Sequence, residues 1–287
     1  MFSQVISIVV PVFAVALIGF AYQKAKPISA GTLNQTNLDV FVPILIFSAL
    51  SKDALDLSGY TPLILATVAV VLLPGILSLA WSKVIPPKVL IPPMMFRNTG
   101  NLGLPLAVYT FGEEILPLAV LLFVIANTLH FTVGLKILTS HGGFKLLRSP
   151  MIIATILGLT AGQLEIPFPL WLERGLDLAG QVAIPLMLFT LGTRMVAIQW
   201  SDWIIGSLMA IWAPLSGVAI AIGAIELFAL EGVERQLLIL YSLLPPAVLN
   251  YLLADQYHQS PNRVATIVLF GNAGSLLVYP IALPFII

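Results

Sequence analysis

The sequence predicts an all-α polytopic membrane protein with ten transmembrane helices, arranged as two inverted five-helix repeats. Three observations predict it. The chain of 287 residues is 59% hydrophobic and only 9% charged, whereas an ordinary soluble domain carries about 25% charged residues. Apolar runs of about 20 residues, enough to cross about 30 Å of hydrocarbon as a helix, recur along the whole chain. A set of polar and proline positions returns in the same order in the second half.

Taken in order, the apolar runs fall at residues 5–23, 34–52, 61–83, 87–111, 115–138, 150–166, 176–197, 203–226, 235–254 and 262–284. The opening MFSQVISIVVPVF has no cationic segment before its apolar run and carries Lys24 and Lys26 after it. That is the reverse of a cleaved signal peptide, so this run counts as a true first span. The connections are short, and none has the Gly/Ser/Pro-rich or charged composition of a long linker. Residues 1–142 then form the first repeat and residues 143–287 the second, with no separate soluble domain. If the spans alternate, Lys24, Lys26, Lys83, Lys88, Lys136, Lys145, Arg148, Arg194 and Arg263 share one side, and only Lys52, Arg174 and Arg235 the other. The positive-inside rule makes the first side cytoplasmic, with both termini extracytoplasmic. Trp81, Trp171, Trp200 and Trp203 at span ends read as interface anchors. PFPLWLERGL, residues 167–176, reads as a short interfacial helix leading into the seventh span.

The repeat is visible in two places. NLDVFVPILIFS (37–48) aligns with AGQVAIPLMLFT (179–190), pairing Pro43 with Pro185, Phe47 with Phe189 and Asp39 with Gln181. VIANTL around Asn127 aligns with LFGNAG around Asn272. Chance similarity is the rival in so apolar a chain. Five spans per half is an odd number, so the second half is threaded in the opposite direction, the plan of many secondary transporters.

The fourth span is interrupted by RNTGNLGLPL, residues 97–106, with Gly103 and Pro105, and the ninth by Pro245 and Pro246 in YSLLPPAVLNYLLAD. Proline removes a helix hydrogen bond and glycine weakens the helix, and unwound backbone is tolerated at membrane depth only inside protein or beside a watered cavity. Interrupted helices in corresponding positions point to a binding site near the midplane. Each break exposes a half-helix amino end whose free N–H groups favour an anion. Asn98, Asn101 and Asn250 supply donors and acceptors that suit a carboxylate; the alternative is that they only knit the broken backbone together. Arg97 lies deep in the fourth span, where a charge is costly. It pairs with an anionic substrate, with Asp39, or with a cytoplasmic water funnel, and the sequence does not choose. Asp39, taken as the one carboxylate inside a span, is the candidate for proton or sodium coupling, or else a plain ion-pair or headgroup-level residue. Asn127, Asn272 and Gln181 fit a shared cavity, with interhelical packing as the rival. His130, one turn after Asn127, is a proton-shuttle candidate or a satisfied core histidine. Thr190 and Thr193 are expected to bond back to their own helix.

Other classes are poorly served. The chain has no cysteine, and its three histidines, His130, His141 and His258, are scattered, so no metal site or cofactor is expected. A nucleophile with a base is not placed on any one span, no nucleotide-binding signature is present, and no nucleic-acid partner is expected. A membrane sensor without flux stays open.

NTGNLGLPL in the fourth span, LLRSPMI opening the sixth, AGQVAIPLMLFTLG in the seventh and LLPPAVLNYLLADQY in the ninth together resemble the auxin efflux carrier family, which includes plant carriers and bacterial permeases. The resemblance covers nearly the whole chain. It implies a fold like those of NhaA and the bile-acid symporters, with the fourth and ninth helices crossing at their breaks. It further implies elevator-type transport of small organic acid anions, auxin-like monocarboxylates or dicarboxylates, by a bacterial-type member in the inner membrane. The resemblance assigns helices 1, 2, 6 and 7 to a scaffold and homodimer surface, and helices 3–5 and 8–10 to a transport domain. Asn98 matches the family asparagine of the fourth span, Pro105 its crossover proline and Pro245 that of the ninth. Arg97, Asn101 and Asn250 depart from the plant pattern, and the long plant loop is replaced by a short connector at residues 139–149.

Overall fold

The computed structural model describes residues 2–139, 149–196 and 202–287. His141, Lys145, Arg148 and Trp200, most of the 139–149 connector and the last residue of the seventh span lie outside the described residues. Everything described is helix and short connection. The helices are α1 (Phe2–Ala25), α2 (Ala30–Ser51), α3 (Thr61–Trp81), α4 (Pro87–Met95), α5 (Leu104–Phe111), α6 (Glu113–Leu138), α7 (Pro150–Gln163), α8 (Leu170–Met195), α9 (Trp203–Phe228), α10 (Gly232–Ser242), α11 (Leu249–Gln256) and α12 (Pro261–Phe285).

Seven of these, α1, α2, α3, α6, α8, α9 and α12, are long and apolar enough to cross a membrane. α7 is a shorter apolar helix of 14 residues. The sequence windows 87–111 and 235–254 each hold two half-helices flanking a break, α4 with α5 and α10 with α11.

Two sequence expectations change. The second helix starts at Ala30, earlier than residue 34, because Ser29 accepts a hydrogen bond from the Thr32 N–H and caps the first turn. The short helix expected at 167–176 is found as the largely exposed segment Leu170–Gly180, which opens α8 and leads through a turn at 181–182 into Ala183–Met195. On its side facing α2, Asp177 accepts from Ser48 at 2.5 Å and forms a solvent-exposed ion pair with Lys52 at 2.9 Å. Asp39 is therefore not the one carboxylate on a spanning helix: Glu113, Glu114, Glu173, Asp177 and Glu226 lie on α6, α8 and α9.

Prolines shape both members of the α2/α8 pair. Pro43 follows a stretch of widened π-helix, Asn37–Phe41, and Pro185 follows the turn at 181–182. A proline ring clashes with the carbonyl four residues back and donates no N–H, so the preceding turn opens. The two irregular places meet, since the buried Asn37 donates its side-chain amide to the Ala183 carbonyl at 3.0 Å.

The helices pack in a regular scheme. α1 runs along the Ala183–Met195 part of α8, and the Val42–Ser51 part of α2 runs along α7. α9 packs on α12 and on α3, and α3 packs on α4 and α6. The α1/α8 contact is backbone to backbone: a Cβ on Gly192 would stand 1.7 Å from the Ala16 carbonyl oxygen, and one on Gly19 would stand 2.1 Å from that of Phe189. Small residues at such crossings are how membrane helices gain van der Waals contact. Thr190 and Thr193 bond back to Leu186 and Thr190 carbonyls of their own helix, as expected. Trp171 and Trp203 are exposed, whereas Trp81 packs edge-on against Trp212.

Candidate functional site

The two breaks cross each other. α4 ends at Met95, and Phe96 turns into an extended conformation. There Arg97 and Pro246 form an isolated antiparallel bridge. The Asn98 N–H donates to the Pro245 carbonyl at 2.7 Å, and the Ala247 N–H donates to the Phe96 carbonyl at 2.9 Å. Backbone freed by the prolines in one segment is thus satisfied by the other, as a lipid-embedded break requires.

Side chains complete the crossing. Asn250, 1% exposed, donates to the Phe96 and Ala247 carbonyls, both at 2.9 Å. Asn272 donates to the Pro246 carbonyl at 2.9 Å and the Val268 carbonyl at 2.8 Å, and its oxygen accepts from the Asn98 amide at 2.8 Å. α12 comes this close because residue 271 is glycine: a Cβ there would lie 2.6 Å from the Pro246 ring. Arg97, 4% exposed, donates to the Leu244 carbonyl at 3.1 Å and the Ala213 carbonyl at 2.8 Å. Five donors on a rigid fork suit arginine to this work. The pairing of Arg97 with Asp39 that the sequence left open does not occur. Asp39 is exposed on α2, where both its oxygens accept from Gln35, at 2.9 and 2.8 Å.

Beside the crossing lies a cavity of about 60 Å³. Arg97, Asn98, Asn101 and Asn127 line it, with Thr99 and His130. The structure therefore brings four of the sequence candidates to one place. Asn250 and Asn272 belong to the crossing itself rather than to the cavity wall, and Gln181 is exposed at the α8 turn, away from it. Asn127 donates to the Phe123 carbonyl of its own helix at 2.9 Å, so the repeat-related pair Asn127 and Asn272 do different things. The Asn101 side chain has no hydrogen bond to a described residue. His130 is 3% exposed and stacks on Phe96, with ring centroids 4.2 Å apart and planes at 9°.

Both half-helices that follow the breaks begin at this cavity. Gly100 and Asn101 stand at the start of the π-helical turn Thr99–Gly103 that leads into α5, and Val248 and Leu249 at the start of α11. Among the described residues no acceptor meets the backbone N–H of any of these four. Unpaired amino-end N–H groups from two directions make a concave, positively polarised patch suited to an anion.

Sequence reasoning passed over several residues that matter here. Asn37 stands in the quoted repeat motif but was overshadowed by Asp39. Tyr241 donates its hydroxyl to the Ala119 carbonyl at 3.0 Å and ties α10 to α6; a tyrosine four residues before a Pro-Pro break was a usable signal. Asp177, which joins Ser48 and Lys52, was passed over altogether.

Comparison with known proteins agrees with this geometry. A family profile described as "Membrane transport protein" matches residues 141–283. A protein of Rhizobium meliloti (strain 1021) named "Putative malonate transporter" is 23% identical over 295 residues, covering 93% of this chain and 91% of that one. An "Uncharacterized transporter" of Methanothermobacter thermautotrophicus is 26% identical over 88% of this chain and 87% of its own. The rice "Probable auxin efflux carrier component 1b" is 28% identical over half of this chain, which spans 26% of that carrier. Residues 141–283 thus match the membrane transport protein family, and with its transporter relatives the chain is an integral membrane transporter of the auxin efflux and malonate transporter kind rather than an enzyme.

Proposed function

We propose that this protein is a secondary carrier that moves small organic acid anions, dicarboxylates of malonate size or auxin-like monocarboxylates, by an elevator motion. The observation that carries the reading is the convergence of two half-helix amino ends, with four unpaired backbone N–H groups, on one polar cavity at the crossing. A carboxylate there accepts from these N–H groups and from the amides of Asn101 and Asn98. This supplies charge stabilisation without committing Arg97, whose guanidinium is held by the Leu244 and Ala213 carbonyls. The malonate relative's name agrees with the carboxylate class.

The helix packing supports the inverted repeat and the division of labour. Exchanging the halves turns the contact of α1 with α8 into that of α7 with α2, and the contact of α3 with α6 into that of α9 with α12, while α3 with α9 maps on itself. The pairs α1/α8 and α2/α7 form the scaffold group. The helices α3 to α6 and α9 to α12 form the group that carries the crossing. The cavity residues lie in the halves of their helices nearest Lys24, Lys136 and Arg194, so the site faces the cytoplasm in this conformation under the positive-inside assignment.

The test is charge displacement on a solid-supported membrane together with labelled uptake, both with purified protein in proteoliposomes. Malonate, longer dicarboxylates and indole-3-acetate are applied in turn, with Asn101→Ala as control. A substrate-specific signal lost in the control establishes the carrier and its substrate class. Silence toward every anion in both assays, from folded protein, refutes the reading.

A further inference from the structure

A second cavity, of about 320 Å³, lies near the first but opens between the two helix groups. By volume it would hold roughly ten waters. Its walls come from α2 and α8 on one side and α11 and α12 on the other, and it shares Val248 and Leu252 with the crossing cavity.

Its chemistry is one-sided. Arg194 lines it, with Tyr251 and Asn262, and among the described residues no carboxylate does. The Arg194 Nε is buried without an acceptor, and neither an ion pair nor a hydrogen bond to a described residue meets the rest of its guanidinium. Tyr251 is within electrostatic reach of that guanidinium. The Tyr251 hydroxyl and the Asn262 amide likewise make no hydrogen bond to a described residue. Gln23, also in the wall, is occupied by the Ile28 backbone at 3.2 Å. Nε is the one nitrogen of that guanidinium withdrawn from water, which is unfavourable without an acceptor, while the terminal nitrogens keep some exposure. Arg97 shows how this chain treats a buried arginine when its task is to brace backbone, by giving it carbonyls. Arg194 has none.

We propose that this cavity is a second anion site, in which Arg194, with Tyr251 and Asn262, holds the carboxylate of the transported acid before it passes Val248 and Leu252 to the crossing. The proposal rests on the anion-carrier reading and adds to it a docking residue and a path. The donors come from both helix groups, so an elevator displacement takes the site apart and releases its occupant as the crossing site moves. An arginine fork can hold a carboxylate through two parallel hydrogen bonds, which a lysine cannot reproduce.

The experiment is equilibrium binding of labelled malonate to protein in nanodiscs of purely zwitterionic lipid, comparing wild type, Arg194→Gln, Arg194→Lys and Asn101→Ala. Size-exclusion profiles and melting temperature confirm folding. The expected result is two malonates per wild-type chain, one retained in Arg194→Gln, the other retained in Asn101→Ala, and weakened second-site binding in Arg194→Lys. Wild type and Arg194→Gln binding one malonate with equal affinity overturns the inference and leaves the crossing site standing. No malonate bound by wild type overturns both. Anionic phospholipid added to the nanodiscs separates the remaining source of an oxyanion: an Arg194-dependent response to that lipid with none to malonate also overturns the inference.

Discussion

Replacing Asn272 by alanine tests whether the crossing is held by side chains or by its own backbone. Asn272 is 2% exposed and makes three hydrogen bonds, to the Pro246 and Val268 carbonyls and from the Asn98 amide. Alanine leaves the buried Pro246 carbonyl and the Asn98 amide without those partners, whereas the Val268 carbonyl keeps its place in the ladder of α12. A buried polar group left unpaired costs about 1–3 kcal/mol, and membrane hydrogen bonds measured by double-mutant cycles sit lower, at about 0.6 kcal/mol on average. Two orphaned groups therefore put the loss at about 2–4 kcal/mol. The assay is reversible unfolding in mixed micelles, with Asn127→Ala as comparison. Asn127 bonds only to its own helix, so its loss stays within about 0.5 kcal/mol. The Asn98→Ala/Asn272→Ala double variant should be less destabilised than the sum of the singles, since both remove one bond. A loss below about 1 kcal/mol in Asn272→Ala, with transport intact, refutes the view that asparagine amides hold the crossing.

Three further outcomes follow. Asn101→Ala keeps its stability within about 0.5 kcal/mol, because its side chain braces nothing, yet loses anion-dependent current; retained current removes Asn101 from the site. Arg97→Gln is destabilised by about 1–3 kcal/mol, because loss of the fork strands the Leu244 carbonyl while the Ala213 carbonyl keeps the Ser216 hydroxyl, and Arg97→Lys does not restore wild-type stability; a stable, active lysine variant shows that charge alone suffices there. Gly192→Ala forces α1 away from α8, where overpacking costs about 1–3 kcal/mol, read as a lower unfolding midpoint; an unchanged midpoint shows that the contact yields without cost.

The breaks were legible because proline and glycine act locally. Pro245, Pro246 and the run from Asn98 to Pro105 forbid continuous helix whatever surrounds them, and helix ends are found there. The destination of each side chain was not legible, since it depends on what the other half of the chain brings. Asn127 and Asn272 occupy matching places in the motif, but only Asn272 has Gly271 beside it to admit the Pro246 ring, so only Asn272 reaches the crossing. Arg97 was left between three partners because its actual acceptors, the Leu244 and Ala213 carbonyls, are backbone groups more than a hundred residues away, invisible to a reading of side-chain types.

The crossing combines two demands that ordinarily conflict. Backbone N–H groups can receive a substrate only if they are left unpaired, and unpaired groups at membrane depth are costly. The structure divides the groups between the two demands. The carbonyls of Phe96, Leu244, Pro245 and Pro246 are met by Ala247, Arg97, Asn98 and Asn272, which fixes the position of both half-helices. The N–H groups of Gly100, Asn101, Val248 and Leu249 are left for the cavity. Their cost is borne by the fixed carbonyls, and the cavity can stay small and polar because nothing around it has to rearrange to accept a charge. This makes a prediction about selectivity: donors fixed by backbone respond to the number and spacing of carboxylate oxygens more than to the apolar remainder of the acid. Affinity across a series of dicarboxylates should therefore fall steeply with the distance between carboxylates, and only shallowly with alkyl substitution at constant spacing. A series that ranks by hydrophobicity instead would mean that Phe123 and Leu252 in the cavity wall, rather than the two amino ends, select the substrate.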